Sequence, residues 1–382
     1  MLIGIDASRA FLEKRTGIEE YSYQVIKNLR NELGFFEVCL YVRKNQTVDF
    51  EIPANWKIKV ISWHFFWTQA GLSLEMLFHP VDVLFVPAHT VPMIHPRKTI
   101  VTIHGLEYEF CQQAYSLWER IYMRISIRKS CHWASRIISV SENTKKDLMK
   151  LYKVPEEKIE VVYEGYDRER NFQFPISNFQ KNAKYKIQDT KYILFLGRIE
   201  ERKNIGNIIK AFEILKEKYN ISHKLVLVGK PGFGYENLKS RIQNLKSKND
   251  LIELGFVSEQ EKWELLKKTE VFVFPTQYEG FGIPILEAQS VGCPVVASNN
   301  SSIPEVTTNY EQNTNVRTTN EIPTDCSAML VDPQSPTEIA EAIFKIISNQ
   351  TIKKDLIAKG LENVKRFSWE KCAREVAEIL KK

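Results

Sequence analysis

The sequence predicts an α/β protein built from two doubly wound domains in tandem. Three observations carry that expectation. Short apolar strands alternate with helical stretches along most of the chain, the pattern of a parallel sheet covered by helices on both faces. The alternation breaks between Gly165 and Asp189, a polar, aperiodic stretch containing Pro175, and then restarts. The length of 382 residues suits two domains of roughly 150 residues each.

The elements follow in order. The opening MLIGIDAS reads as a buried strand, because Asp6 interrupts what a signal peptide would need as its apolar core. The stretch TGIEEYSYQVIKNLRNEL then places Ile18, Tyr21, Val25, Ile26 and Leu29 at helical spacing. Strands are expected over Phe36–Val42, Trp56–Ile61, Val81–Val86, Thr99–Ile103, Arg136–Val140 and Ile159–Val162. After the break, strands at Tyr192–Leu196, Lys224–Val228, Leu251–Leu254, Val271–Phe274 and Pro294–Ala297 alternate with helices at Asn204–Glu217, Glu236–Ser247, Gln260–Lys268 and Ile283–Val291. Helices over Pro336–Ser348, Thr351–Asn363 and Trp369–Lys381 close the chain, the last capped by Ser368. The expected division is a first domain over 1–165, a linker over 166–190, a second domain over 191–365, and a terminal helix over 366–382 that packs back on the first domain. Thr307–Asp325, rich in Thr and Asn, reads as a surface insertion.

Composition narrows the function. Hydrophobic residues at 43% and charged residues at 26% describe an ordinary globular chain. The six cysteines have no CxxC spacing, which favours reduced thiols in a cytoplasmic protein over a zinc ribbon or a disulfide framework. No apolar run is long enough for a transmembrane helix. Lys and Arg exceed Asp and Glu by 53 to 47, a mild excess without a basic tract, so nucleic-acid binding is not expected.

Four segments can carry chemistry. In YEGFGIPILEAQ a strand gives way to Glu279, Gly280, Phe281 and Gly282, and a helix begins near Pro284, where a missing N–H costs nothing. Glycines admit a close ligand, and the unpaired N–H groups of a helix start favour an anion such as phosphate. Glu287 lies further along that helix, and a carboxylate there suits sugar or ribose hydroxyls. A capped helix with a solvated Glu287 is the competing reading. In FLGRIEERKNI a strand delivers Arg198 and Lys203 to its carboxyl end, as a fork and a point charge for a pyrophosphate or as a solvated loop. Arg15, Thr16 and Gly17 open the first helix, as an anion site or an ordinary capped turn. His104, in TIHGLEYEF, sits at a strand end, to line a sugar site or to serve structure; His89 in VPAHTVP is a weaker candidate. The chain lacks GxxxxGK[ST], GxSxG and HExxH, Pro231 spoils a dinucleotide fingerprint in GKPGFG, and no Asp-x-Asp pair offers itself to a divalent cation.

These segments together resemble the retaining glycosyltransferases of family 4. EGFGIPILE resembles their Glu, seven residues, Glu signature; FLGRIEERKNI, RTGIEEYSYQVIKNL, VTIHGLEYEF, SVSENTKKDL and EKIEVVYEGYD match other parts of the pattern. The resemblance spans nearly the whole chain and is closest to bacterial mannosyltransferases that build O-antigen and related polysaccharides. It implies the GT-B fold, two Rossmann-like domains facing across a cleft. It also implies a nucleotide diphosphate sugar as donor, a glycan or lipid-linked acceptor, and neither metal nor cofactor. The implied roles are Glu279 and His104 at the sugar, Arg198, Lys203 and the backbone of Gly17, Gly280, Phe281 and Gly282 at the diphosphate, and Glu287 at the ribose. Two positions depart from the pattern: Gly105 stands where an Asp is usual, and Glu164-Gly165 where Asn-Gly is usual. GDP-mannose is the expected donor; a UDP-glucose or UDP-GlcNAc transferase is the alternative. A sugar-nucleotide epimerase and a non-catalytic binding protein are the other readings.

Two stretches suggest attachment to an anionic membrane at the inner face of the cytoplasmic membrane. Residues 61–78 concentrate Trp63, Phe65, Phe66 and Trp67. Residues 115–133 set Leu117, Ile121, Ile125 and Ile127 beside Arg120, Arg124, Arg128 and Lys129. Two core-facing helices with solvated charges are the competing reading.

Overall fold

The computed structural model describes residues 1–167, 187, 190–243, 245, 247–308 and 325–382. Apart from their ends and Ile187, the expected linker 166–190 and the insertion 307–325 lie outside the described residues. The chain forms two compact units. The first comprises Met1–Leu106, Leu117–Tyr166 and Phe367–Lys382; the second comprises Glu107–Ser116 and Asp167–Arg366.

The first unit holds a seven-stranded parallel sheet of order β3-β2-β1-β4-β5-β6-β7. Its strands are β1 (Leu2–Asp6), β2 (Glu37–Arg43), β3 (Trp56–Ile61), β4 (Val83–Val86), β5 (Lys98–Ile103), β6 (Arg136–Ser139) and β7 (Ile159–Val161). Central strands covered on both faces are apolar throughout, as in the fully buried VLFV of β4. The edge strand β3 carries exposed Lys57 and Lys59, charges that discourage edge pairing. Helix α1 (Gly17–Glu32) buries Tyr21, Val25, Ile26 and Leu29 of the expected stripe, whereas Ile18 in its first turn is half-buried. The C-terminal Trp369–Lys381 helix buries Trp369, Cys372, Ala373, Val376 and Leu380 and packs against α1.

That return has a local requirement. A Cβ on Gly165 would lie 2.3 Å from the backbone nitrogen of Trp369, so only glycine lets the end of the first sheet meet the start of the last helix. Tyr21 lies edge-on to Trp369 at 6.1 Å between ring centres.

The second unit holds a six-stranded parallel sheet of order β10-β9-β8-β11-β12-β13. Its strands are β8 (Tyr192–Leu196), β9 (Lys224–Val228), β10 (Leu251–Gly255), β11 (Val271–Phe274), β12 (Val295–Ser298) and β13 (Met329–Val331). The short β13 was not anticipated from sequence, since three residues carry no periodicity. The segment Glu107–Ser116 belongs to this unit rather than to the stretch 1–165. Phe110 stacks on Tyr278 at 4.7 Å and 9°, a contact between residues far apart in sequence that no local pattern announces.

Both sheets reverse strand order once, between β1 and β4 and between β8 and β11. In doubly wound sheets ligands bind beyond the carboxyl ends of the strands at such switch points.

Candidate functional site

The second switch point is lined by the two loops after β8 and β11. After β8 the chain passes Arg198 and tightens into a short turn, Glu201–Lys203. Asn204 then takes a left-handed conformation, φ 62°, and its side-chain amide donates to the carbonyls of Pro275 (2.8 Å) and Pro333 (2.6 Å). This ties the first loop to the second and orients the cations. Lys203 Nζ lies 2.6 Å from Glu279 Oε1. Arg202 reaches Glu279 at 3.5 Å, Glu200 at 2.9 Å and the Tyr278 carbonyl at 3.3 Å. Arg198 stands apart, its side chain 63% exposed and 3.7 Å from Glu200, so it can swing onto a ligand.

The charges are tuned by one another. Burial opposes the guanidinium of Arg202, but Glu279, Glu107, Tyr115 and Glu200 together hold it further toward the charged form than an ordinary arginine. Burial pushes the Lys203 ammonium down, Glu279 pulls it back up, and Arg202 adds to the lowering. Arg202 and Lys203 are thus largely buried cations held charged by the carboxylates beside them, and Arg198 is the exposed cation of the group.

The loop after β11 is fixed by two serines. Ser302 Oγ donates to the carbonyls of Glu279 (3.0 Å) and Phe281 (2.8 Å), and the Glu279 N–H donates to Ser301 Oγ at 3.1 Å. Phe281 is buried. Gly282, at φ 121°, turns the chain into the Ile283–Ser290 helix, with Pro284 in its first turn as expected. Glu287, on that helix, is buried and accepts from Lys262 Nζ at 2.9 Å; Lys262 also meets Glu259 at 2.6 Å. Burial raises the Glu287 carboxyl above the ordinary range, and Lys262 opposes it. Glu287 is thus neither solvated nor isolated, and one carboxylate oxygen is already in use.

The first unit has its own cluster at its switch point. His104 follows β5 with a side chain 9% exposed. Its Nε2 donates to the Pro87 carbonyl at 2.9 Å, and its Nδ1 lies 3.0 Å from Glu164 Oε1. Tyr21 and His89 stand edge-on to the ring at 4.5 and 5.3 Å. Burial, with help from the neighbouring His104 and Arg9, pushes His89 down to about 3, so it is neutral. At Gly17 an added Cβ would meet no atom within 4 Å, so packing does not demand a glycine. The helix start there already carries Glu19 and Glu20. Glu19 accepts the Thr16 N–H at 3.3 Å, and Arg15 is paired with Glu20 at 2.9 Å.

The structure thus brings Lys203 and Glu279 together, leaves Arg198 exposed on Glu200 and places His104 and Gly17 in the first unit. Sequence reading passed over Arg202 and Glu200, although both lie in FLGRIEERKNI, and over Lys262, Ser301 and Ser302. The SNNSS run after β12 was the one visible signal for the serines. Among the described residues no group of three His, Cys, Asp or Glu side chains is placed to hold a metal ion.

Two family descriptions match adjoining parts of the chain: Glycosyltransferase Family 4 over residues 15–170 and Glycosyl transferases group 1 over residues 177–363. The chain belongs to glycosyltransferase family 4. This family 4 enzyme is 26% identical to the O-antigen chain mannosyltransferase B of Escherichia coli over 285 residues, 75% of this chain and 70% of that one. It is 25% identical to the O-antigen chain mannosyltransferase RfbU of Salmonella typhimurium over 235 residues, 61% of each. The fold is GT-B. The crystal structure of WaaG, a glycosyltransferase involved in lipopolysaccharide biosynthesis, matches with a TM-score of 0.70 at 14% identity, covering 100% of this chain and 99% of that one. Anabaena HepE in complex with UDP-glucose matches with a TM-score of 0.71 at 18% identity and the same coverage.

Proposed function

We propose that this glycosyltransferase moves mannose from GDP-mannose to a glycan or lipid-linked acceptor in polysaccharide biosynthesis, with retention at the anomeric carbon and without a metal ion. The observation that carries the reading is the cation cluster at the second switch point, Arg202 and Lys203 against Glu279 with Arg198 on Glu200. A leaving diphosphate needs positive charge fixed in advance, and these side chains supply it without a divalent cation. Arg198 and Lys203 bind the diphosphate, helped by the backbone of Gly280, Phe281 and Gly282 and of Gly17. Glu279 contacts the sugar hydroxyls, Glu287 the ribose, and His104 the sugar through Nε2, where a hydroxyl replaces the Pro87 carbonyl. Attack comes from the face of the leaving group. The acceptor oxygen bonds to the anomeric carbon as the bond to the phosphate oxygen breaks, and the acceptor proton passes to the departing phosphate. No protein nucleophile takes part.

The choice of mannose rests on the named mannosyltransferase relatives. The test is nucleotide release with GDP-mannose, UDP-glucose and UDP-GlcNAc, each with a lipid-linked acceptor and in excess EDTA, with the product's anomeric configuration read by NMR. Faster release from a UDP-sugar overturns the donor. A strict demand for Mn²⁺ or Mg²⁺ overturns the neutralisation by side chains, and inversion overturns the attack.

The reading includes attachment of the first unit to an anionic bilayer. Phe65, Phe66, Leu77, Phe78, Leu117 and Trp118 are more than half exposed. Hydrogen bonds from Gln69 to Val91 and from Val91 to Ser130 join the two segments through one loop. Arg124, Arg128 and Lys129 are exposed on the same helix, Leu117–Trp133. Two residues expected on this face are core instead: Trp67 and Ile127 are each 2% exposed. Nor is 61–78 one helix; it is the end of β3, a loop, a wide helical turn at Trp67–Leu72 and the short helix Ser73–Phe78. Among the described residues no helix is long and apolar enough to cross a membrane. Apolar side chains beside arginines suit the interface of an anionic bilayer. Co-sedimentation with anionic but not neutral vesicles, fading at high salt, is expected; equal recovery in both supernatants overturns the attachment.

A further inference from the structure

We propose that Glu164 is the positioning residue of His104, fixing its ring so that Nε2–H is always the donor presented to the substrate. The proposal rests on the reading that His104 faces the donor sugar, but its geometry is independent of that reading. The Pro87 carbonyl oxygen can only accept, so the Nε2 it meets at 2.9 Å carries a proton. Nδ1 lies 3.0 Å from Glu164 Oε1, with one proton between ring and carboxyl. Held at both nitrogens, the ring cannot turn, and Nε2 stays the donor.

The surroundings make this arrangement rigid. Glu164 and His104 are 7% and 9% exposed at the side chain. Tyr21 closes one side of the ring, with its hydroxyl 3.2 Å from Thr102 Oγ1. His89 closes another, neutral, with Nδ1 accepting the His104 backbone N–H at 3.5 Å. Glu164 is held in turn by its neighbour. Gly165 lies against the backbone of Ser368 and Trp369, so the returning C-terminal helix sets where the carboxylate stands.

The experiment combines histidine NMR with kinetics. Ring ¹⁵N signals of the wild-type enzyme, assigned with His104→Gln, should show Nε2 of His104 protonated. Glu164→Gln keeps the shape and removes the charge. It should shift the Nδ1 signal and lower kcat by about tenfold to a hundredfold, as for one lost hydrogen bond to a charged group, with the donor KM near wild type. An unprotonated Nε2 in the wild type overturns the proposal, even if the variant does not fold. So does a Glu164→Gln variant with wild-type kcat while His104→Ala is impaired. If His104→Ala itself turns over normally, the sugar-contacting role of His104 fails and the positioning role with it, whereas the cation cluster is untouched.

Discussion

Lys203 Nζ and Glu279 Oε1 meet at 2.6 Å, although 76 positions separate them in sequence and each was assigned a different part of the donor. The two satisfy each other. On the proposed function, a diphosphate would compete with Glu279 for Lys203 and the sugar hydroxyls would take up the carboxylate so released, which would couple recognition of the phosphate to recognition of the sugar.

The first prediction follows from that coupling. Arg198→Ala and Lys203→Ala should each weaken nucleoside diphosphate binding about tenfold or more, the loss of one charge-assisted contact. The two should differ in stability. Arg198 is 63% exposed, so its removal should leave the melting temperature near wild type, whereas Lys203→Ala leaves the buried Glu279 with Arg202 alone and should lower it. Calorimetry and thermal unfolding check both. Undiminished binding in both variants would take these residues out of the site.

Glu279→Gln should reduce kcat more than it reduces affinity for the free nucleotide. The amide keeps the volume but loses the charge held between Lys203 and Arg202. With one anion fewer, the cation cluster should bind free nucleoside diphosphate as well as or better than wild type. Steady-state kinetics beside calorimetry separates the two effects. Weaker nucleotide binding with unchanged kcat would put Glu279 at the phosphate.

Much of this site was legible in the sequence, and the reason is local. Glu279, Gly282 and Pro284 lie on one strand-to-helix turn, and Arg198 and Lys203 on another, so glycine, proline and charge punctuate the chain where the loops are. What was not legible depends on pairing between distant segments. Arg202 looked no different from its neighbours in ERK, and only its reach to Glu200, Glu279 and Tyr278 sets it apart. The partner of Glu287 was hidden because nothing nearby in sequence reveals Lys262 on the preceding helix. Glu164 stood out as a departure from the family pattern, but its partner His104 is visible only once β5 and β7 are laid in one sheet. The fold itself was read from buried strands such as YILFL and VFVF, whose apolar runs are what a parallel sheet covered on both faces requires.

Acid should destabilise the first unit through His89. Its folded value is pushed down to about 3, below an ordinary value of 6.5, so the folded state takes up its proton later than the unfolded chain does. Between these values the unfolded state binds more protons, and stability rises with pH. The contribution is present above about pH 6.5 and is lost as pH falls toward 3. Denaturant unfolding at pH 5 and pH 7.5 should show a smaller difference for His89→Gln than for wild type. An equal difference would assign the acid sensitivity to other groups.

Gly165→Ala should destabilise the first unit while sparing nucleotide binding. The new Cβ would fall 2.3 Å from the backbone nitrogen of Trp369 and 2.6 Å from the backbone carbon of Ser368, and backbone cannot swing aside as a side chain can. Either the end of the first sheet or the start of the last helix must shift, at about 1–3 kcal/mol for overpacking of this kind. Trp369 is buried beside Tyr21, so tryptophan fluorescence reports the shift directly. Arg198, Arg202, Lys203 and Glu279 all belong to the second unit, so affinity for the free nucleoside diphosphate should stay at the wild-type value. A variant with wild-type unfolding would show that the C-terminal helix does not need this close approach. A large loss of nucleotide affinity at unchanged stability would overturn the assignment of the diphosphate to the cation cluster of the second unit.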